Sequence, residues 1–382
     1  MTVLPGFKVE EYFARWEFVA RHHLTASDAQ SMGLAELLEL AEPEDRRRWD
    51  ELELGYTETT GDPALREAIA DTYDVAGAGD VICFAGAEEG LYLAMRVLLG
   101  PSDHAVVLTP NYQSAETVPL SLCEVTGVAL DPAADWALDL DAVLAALRPN
   151  TRLVSINFPN NPTGKVIEEG QLRRLVEICD ERGIHLFSDE VHRGLERDPA
   201  RTLPQAADLS RRALSLNVMS KSLGLPGLRV GWIACRDPEL VARLERAKHY
   251  TTICNSAPSE LLALIALKAR ASILRRNRGI IDANLPLFGE FFAGFPELFE
   301  WSVPDGSCVA YPRYLGEDGV EAFCTALVEQ AGVLLLPASK FCSALTTTPA
   351  DRFRIGFGRR DPSPALEAFA GWLRRSERRS DL

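Results

Sequence analysis

The 382-residue sequence has no cysteine pair at C-x-x-C spacing and no Cys/His arrangement of ligand type. Its eight cysteines are scattered, and the closest two, Cys308 and Cys324, lie 16 positions apart. That argues against a zinc cluster or a thioredoxin-like redox pair, so no metal is expected, and unpaired thiols fit a reducing, cytoplasmic setting. Long apolar runs are missing too: none approaches the roughly 18 residues of a membrane span. Lys8, Glu10 and Glu11 stand where a signal peptide would carry its apolar stretch. Basic residues are outnumbered, 40 against 55 acidic, for a formal net charge of −15. That balance argues against nucleic-acid or anionic-membrane partners, which need a basic face. Repeats and low-complexity segments are absent as well. What remains is an ordinary globular composition, 47% hydrophobic and 25% charged, long enough for a large core.

Between about residues 60 and 235, short β-rich runs alternate with longer helical stretches. The runs 81–84, 104–109, 152–158, 185–189, 213–219 and 229–234 are apolar on both faces, as buried central strands are. Helical patterns occupy 88–100 and 168–183, the second closed by Gly183. This alternation predicts an α/β fold with a three-layer, mostly parallel sheet. The C-terminal third is largely helical over 238–290, followed by strand-like segments around 307–314, 332–337 and 353–357, which suggests a smaller α+β lobe. The expected division is an N-terminal arm over 1–45, a large lobe over 46–245 and a small lobe over 246–382, with the site in the cleft between lobes.

Ligands of such sheets sit at the carboxyl ends of the strands, so the segments just after strands matter most. In AGAEEG (85–90), Gly86 permits a tight turn, and the N–H groups of Ala87 and Glu88 open a helix. Such a turn either is purely structural or holds a phosphate. NFPNNPTG (157–164) is either a simple turn or a mount for Asn161 as a donor to a ligand oxygen. The acidic pair in SDEVHRG (188–194) either caps the next helix or holds a heterocyclic nitrogen protonated. In SKSLGLPGLRVGW (220–232), Lys221 stands at a strand end before a Gly/Pro-rich loop, with Arg229 eight residues on. A lysine at an apolar junction of this kind can lose its proton and attack a carbonyl.

Taken in order, with 28 residues from Asn161 to Asp189 and 32 from Asp189 to Lys221, these segments resemble the fold-type I, class I/II pyridoxal-phosphate-dependent aminotransferases. The likeness runs from about Tyr56 to the C-terminus. It implies an enzyme that moves an amino group between an L-amino acid and a 2-oxo acid with pyridoxal 5′-phosphate as cofactor. Lys221 then matches the lysine that forms the Schiff base and moves the proton. Asp189 matches the partner of the pyridinium nitrogen, and Asn161 the donor to the ring oxygen. Tyr112, in TPNY, matches the aromatic that stacks on the ring. Gly86, Ala87, Glu88, Ser220 and Arg229 match the phosphate contacts. Tyr56 aligns with a tyrosine that reaches the phosphate of a partner subunit, which implies a homodimer. Arg354, in FRIGF, aligns with the arginine that grips the substrate carboxylate, a task for a planar fork.

Two positions depart from the family pattern. His192 stands where the aminotransferases carry a tyrosine and is similar to the DE-x-H of C–S β-lyases. Val218 replaces a hydroxyl residue three before the lysine. The 220–232 run is also similar to the capreomycidine-synthase branch, so a β- or γ-eliminating lyase or a cyclase on the same scaffold is the alternative activity. Substrate side-chain contacts are expected from Trp16, Phe18, Ser27, Asp28 and the stretch 249–256. His22, His23, Arg359 and Arg360 read as surface residues.

Overall fold

The computed structural model describes residues 4–380, with side chains to 375. The first three residues of the N-terminal arm and the last two of the C-terminal lobe lie outside the described residues. Seven strands make the central sheet: β1 (Val81–Phe84), β2 (His104–Thr109), β3 (Glu124–Ala129), β4 (Thr151–Asn157), β5 (His185–Asp189), β6 (Ala213–Val218) and β7 (Gly231–Ala234). Their spatial order is β1-β7-β6-β5-β4-β2-β3. Neighbours pair in parallel from β3 to β6, and β7 runs antiparallel to both β6 and β1.

The apolar runs became strands because helices cover them on both faces; every residue of β1, β2, β6 and β7 is buried. Two departures have local causes. The last strand begins at Gly231 rather than 229, because Arg229 ends a tight turn over Pro226–Leu228 in the left-handed conformation, φ 52°. The edge strand β3 escapes the sequence pattern because it is mostly half-exposed and carries a glycine, EVTGVA, where an apolar run was the cue.

The helix Ala87–Leu98 starts directly after β1. Glu169–Glu181 opens on a reciprocal Glu168/Gln171 cap, and Gly183, φ 69°, follows its end. In the C-terminal part, strands Val309–Ala310, Phe353–Gly356 and Leu336–Pro337 form an antiparallel sheet. Helices Arg270–Ala293, Val320–Ala331 and Ser363–Ser380 accompany it. Phe291, Phe299, Phe323, Phe353 and Phe369 pack ring against ring in its interior. His22–His23 adds a short strand parallel to Val333–Leu334, so the N-terminal segment is stitched to this part of the chain.

Candidate functional site

The carboxyl ends of the central strands sit at one level. Asn157, the last residue of β4, pairs in register with Asp189, the last of β5, and Asp189 pairs with Leu216 of β6. β6 runs out at Val218 into Ser220 and Lys221, and β1 runs out at Phe84 into the Gly86 turn. A cavity of about 610 Å³ opens at this edge, walled on its far side by Arg354 and by Ser27 and Asp28 of the N-terminal segment.

Lys221 donates from Nζ to Ser27 Oγ at 2.8 Å. Enclosure pulls its proton affinity down, and the Arg354 guanidinium pushes the same way against the carboxylates of Asp28 and Asp189. An amine so placed is eased toward the neutral, nucleophilic form. Asp189 accepts from the Val191 N–H at 3.1 Å. It lies deep below the protein surface, and its carboxyl, pushed up to about 6 by that enclosure, still opens onto the cavity. Its neighbour Glu190 turns the other way, accepting from the Ala206 N–H and the Ser215 hydroxyl, both at 2.8 Å. The acidic pair is thus divided: one carboxyl caps a helix and the other faces the cavity.

Beside them the chain builds an anion cradle. Gly86, φ 98°, precedes the helix Ala87–Leu98, whose first N–H groups carry the positive end of the helix dipole. A side chain at Gly86 would meet the Arg229 guanidinium at 2.7 Å, so that cation lies directly over the turn. A side chain at Gly231 would meet the Gly86 and Ala87 backbone at 2.7 and 2.8 Å. Two missing Cβ atoms therefore let a strand, a turn and a cation converge, and among the described residues Arg229 has no carboxylate partner. Val218 lines the cavity nearby and contributes no hydroxyl; Ser220 is the hydroxyl residue of this wall.

At the other end Arg354 is 2% exposed. Its Nη1 donates to Asn161 Oδ1 at 3.1 Å and its Nη2 to the Thr25 carbonyl at 2.8 Å, while its Nε has no partner. No carboxylate pairs with it among the described residues, and burial drags it well below the ordinary guanidinium value, down to about 10. With its oxygen engaged by Arg354, Asn161 keeps its amide N–H groups for a ligand.

Tyr112 lines the cavity and donates to Glu10 Oε1 at 2.6 Å, with the Phe7 ring 5.1 Å away. Glu88 opens widely onto the cavity; cavity walls rather than a dry core push its carboxyl up to about 7, against a hydrogen bond from the Ser114 hydroxyl. The expectation for Trp16 fails. The helix Lys8–Trp16 turns Glu10 and Phe13 to the cavity, together with Glu17 just beyond it, and Trp16 lies under the Arg15 guanidinium instead. Phe18 is 91% exposed and points away. Glu10, Phe13 and Glu17 share one face at i, i+3, i+7, but Val9, Phe13 and Trp16 share another at i, i+4, i+7, so spacing alone does not say which face meets the cavity. Ser27 is at the site, but on Lys221. Arg359, read as a surface charge, is held by Asp28 at 2.7 Å and lines the cavity, as does His23. Those partners are 331 positions apart, and no local pattern joins them. The stretch 249–256 stays outside the cavity, with Thr251 and Thr252 bonded to Glu89. Tyr56 is 93% exposed and does not reach this chain's own cavity.

The residues present fit pyridoxal 5′-phosphate. The open cradle of Gly86, Gly231 and Arg229 suits a phosphate, and the cavity-facing carboxyl of Asp189 a ring nitrogen. Lys221 suits a carbonyl carbon, and the unpaired Arg354 a second anion. Comparison with known proteins agrees. The family model for aminotransferase class I and II matches residues 33–363. Capreomycidine synthase of Streptomyces vinaceus is 31% identical over 375 residues, 95% of this chain and 92% of that one. The probable N-succinyldiaminopimelate aminotransferase of Mycobacterium tuberculosis is 31% identical over 301 residues, 75% of each chain. A crystal structure of a pyridoxal-phosphate-dependent aminotransferase from Streptococcus suis superposes with a TM-score of 0.90 at 29% identity, covering 98% of this chain and 99% of that one.

Proposed function

The chain belongs to the class I and II aminotransferases, a pyridoxal-phosphate-dependent family of fold type I, and from that premise we propose how its residues divide the work. The reaction moves an amino group from an L-amino acid to a 2-oxo acid. Bound at this site, the cofactor supplies a conjugated ring that takes up the electrons released at the substrate Cα. Arg229, Ser220 and the N–H groups of Ala87 and Glu88 hold its phosphate. Asp189 holds its ring nitrogen protonated, Asn161 donates to its ring oxygen, and Tyr112 covers a ring face. Lys221 is the amine that holds its carbonyl carbon and, once displaced, the base that takes and returns the Cα proton. Ser27 steadies that amine. The supporting observation is Arg354: a buried guanidinium without a carboxylate faces the same cavity as Lys221 and Asp189, where a substrate carboxylate completes it.

The test is a half-reaction. An amino donor alone should convert the bound cofactor to its amine form, and an added 2-oxo acid should restore it. The second reading, a lyase or cyclase, is favoured by one finding: capreomycidine synthase matches 95% of this chain. It would show as ammonia, thiol or a cyclic product formed without an acceptor, and that outcome across a broad donor panel would displace transamination.

We also infer a homodimer. Leu54, Tyr56 and Tyr250 are 85%, 93% and 92% exposed, on two segments tied together by a Thr57 hydroxyl bond to the Asn255 carbonyl at 3.2 Å. Burial of that patch against a second copy would bring Tyr56 to the partner's phosphate site. Sedimentation as a monomer at assay concentration would sink this inference. A reducing, cytoplasmic setting is supported by the eight free cysteines, most of them buried. No helix among the described residues is long and apolar enough to cross a membrane.

A further inference from the structure

His192 stands where the family pattern has a tyrosine, and its surroundings say more than the substitution does. The ring is completely buried and lines the same cavity as Asp189 and Lys221. Burial, and after it the Lys221 and Arg354 side chains, hold its proton affinity well below the ordinary value, which favours the neutral imidazole with a single N–H. Asp189 is the anion of the same wall. One ring nitrogen, Nδ1, lies 3.1 Å from Ser307 Oγ, and the other, Nε2, has no partner among the described residues.

Which nitrogen carries the proton follows from counting donors. A serine hydroxyl has one hydrogen to give, and among the described residues Ser307 Oγ has no hydrogen-bond partner except His192 Nδ1. If Nδ1 were protonated, it would donate to Ser307, leaving the serine's own hydrogen and the Nε2 lone pair both unspent in the interior. If Ser307 donates to Nδ1, the spare hydrogen is the Nε2–H. Both arrangements leave one hydrogen and two lone pairs over, but only the second puts that hydrogen on a residue that lines the cavity, where a ligand can accept it; left on Ser307, which does not line the cavity, it stays unsatisfied at a cost of about 1–3 kcal/mol.

Ser307 is also placed with care. It is fully buried and sits at φ 66°, a left-handed conformation unusual for a residue with a side chain. Its carbonyl accepts from Arg197 Nη2 at 2.6 Å. The loop before it is pinned by Gly306 N–H to the Gly164 carbonyl at 2.9 Å and by Arg197 N–H to the Asp305 carbonyl at 2.8 Å. The loop therefore fixes where the hydroxyl points.

We propose that Ser307 is a positioning residue that sets the tautomer of His192, so that Nε2–H donates to the ring oxygen of the bound cofactor beside Asn161. The proposal rests on the cofactor site above. The pair thus replaces the tyrosine hydroxyl by a neutral imidazole donor whose direction a small-lobe loop controls.

Two readouts test it separately from turnover. In the ligand-free wild-type protein, ring-nitrogen magnetic resonance of ¹⁵N-labelled histidine should show His192 protonated at Nε2. An Nδ1-protonated His192 there overturns the proposal even if the enzyme is fully active. In the loaded protein, Ser307→Gly removes the hydroxyl and relaxes the positive φ. Losing a directed donor to an oxyanion should raise the pH midpoint of the cofactor's visible absorption band by about one unit. His192→Phe should raise it at least as far, and His192→Gln, which keeps an N–H donor, should restore much of it. An unmoved midpoint in folded, cofactor-loaded Ser307→Gly and His192→Phe refutes the proposal. Failure of the wild-type protein to bind the cofactor would refute the underlying site instead, leaving the tautomer measurement standing.

Discussion

Replacing Arg354 by methionine separates what that residue costs the fold from what it gives the site. In the ligand-free protein the guanidinium is buried against two neutral oxygens, with its Nε bonded to nothing. Its fall from the ordinary guanidinium value to about 10 corresponds to about 3 kcal/mol held against the charged form. Buried ion pairs replaced by apolar side chains of similar volume commonly leave a protein unchanged or stabilise it by about 1–4 kcal/mol, and here the charge removed has no ion partner among the described residues to strand. At about 2.1 cal/mol/K of unfolding entropy per residue, this chain gains roughly 0.8 kcal/mol per kelvin, so Arg354→Met should melt between no change and about 5 °C higher. Carboxylate affinity moves the other way. Removing one partner of a buried, hydrogen-bonded ion pair costs about 2–5 kcal/mol, so amino-acid binding should weaken by about 30- to 5,000-fold. Calorimetric melting of the ligand-free protein gives the first number, and titration of the loaded enzyme's absorbance with an amino donor gives the second. A variant that melts well below wild type, or that binds amino acids normally, would refute the assignment of Arg354 as an unpaired carboxylate receptor.

Gly231→Ala places a Cβ 2.7 Å from the Gly86 backbone and 2.8 Å from the Ala87 nitrogen, neither of which can swing aside. Overpacking of about 1–3 kcal/mol should lower the melting temperature by about 1–4 °C and weaken cofactor binding; Gly279→Ala, with nothing within 4 Å, is the control, and equal cofactor affinity in both variants would count against the cradle. Asp189→Asn tests the buried carboxyl through pH. Because the folded carboxyl sits near 6 and the unfolded one near 3.8, the native state keeps a proton that the unfolded chain has released, so this group's contribution to ligand-free stability falls as pH rises from about 4 to 6 and is flat above. The melting-temperature advantage of Asp189→Asn should therefore open over that window and hold beyond it; an advantage equal at pH 4.5 and 7.5 would show that the carboxyl is not pushed up.

The strands at 81–84, 104–109 and 185–189 were legible to the residue because burial on both faces leaves apolar residues side by side rather than alternating. β3 was not, since an edge strand half-open to water needs no such run. The same contrast governs the site. Asn161 and Lys221 follow strands, Asp189 ends one and Arg229 stands two residues before another, and the sheet brings strand ends together whatever lies between them. Trp16 was misplaced because the aromatic content of a helix does not reveal which face it presents to the cavity.

The amino-acid sequence by itself determined the layered sheet, the order of the chemistry-bearing loops and the family they belong to, because those are properties of local pattern and spacing. Tertiary structure alone decided which charges are paired. Arg359 finds Asp28, Lys221 finds Ser27, and His192 finds Ser307 across 331, 194 and 115 positions, while Arg354 finds no carboxylate among the described residues. Such pairings depend on which surfaces the packing of the small lobe and the N-terminal segment brings within about 3 Å, and short-range sequence holds no record of that distance.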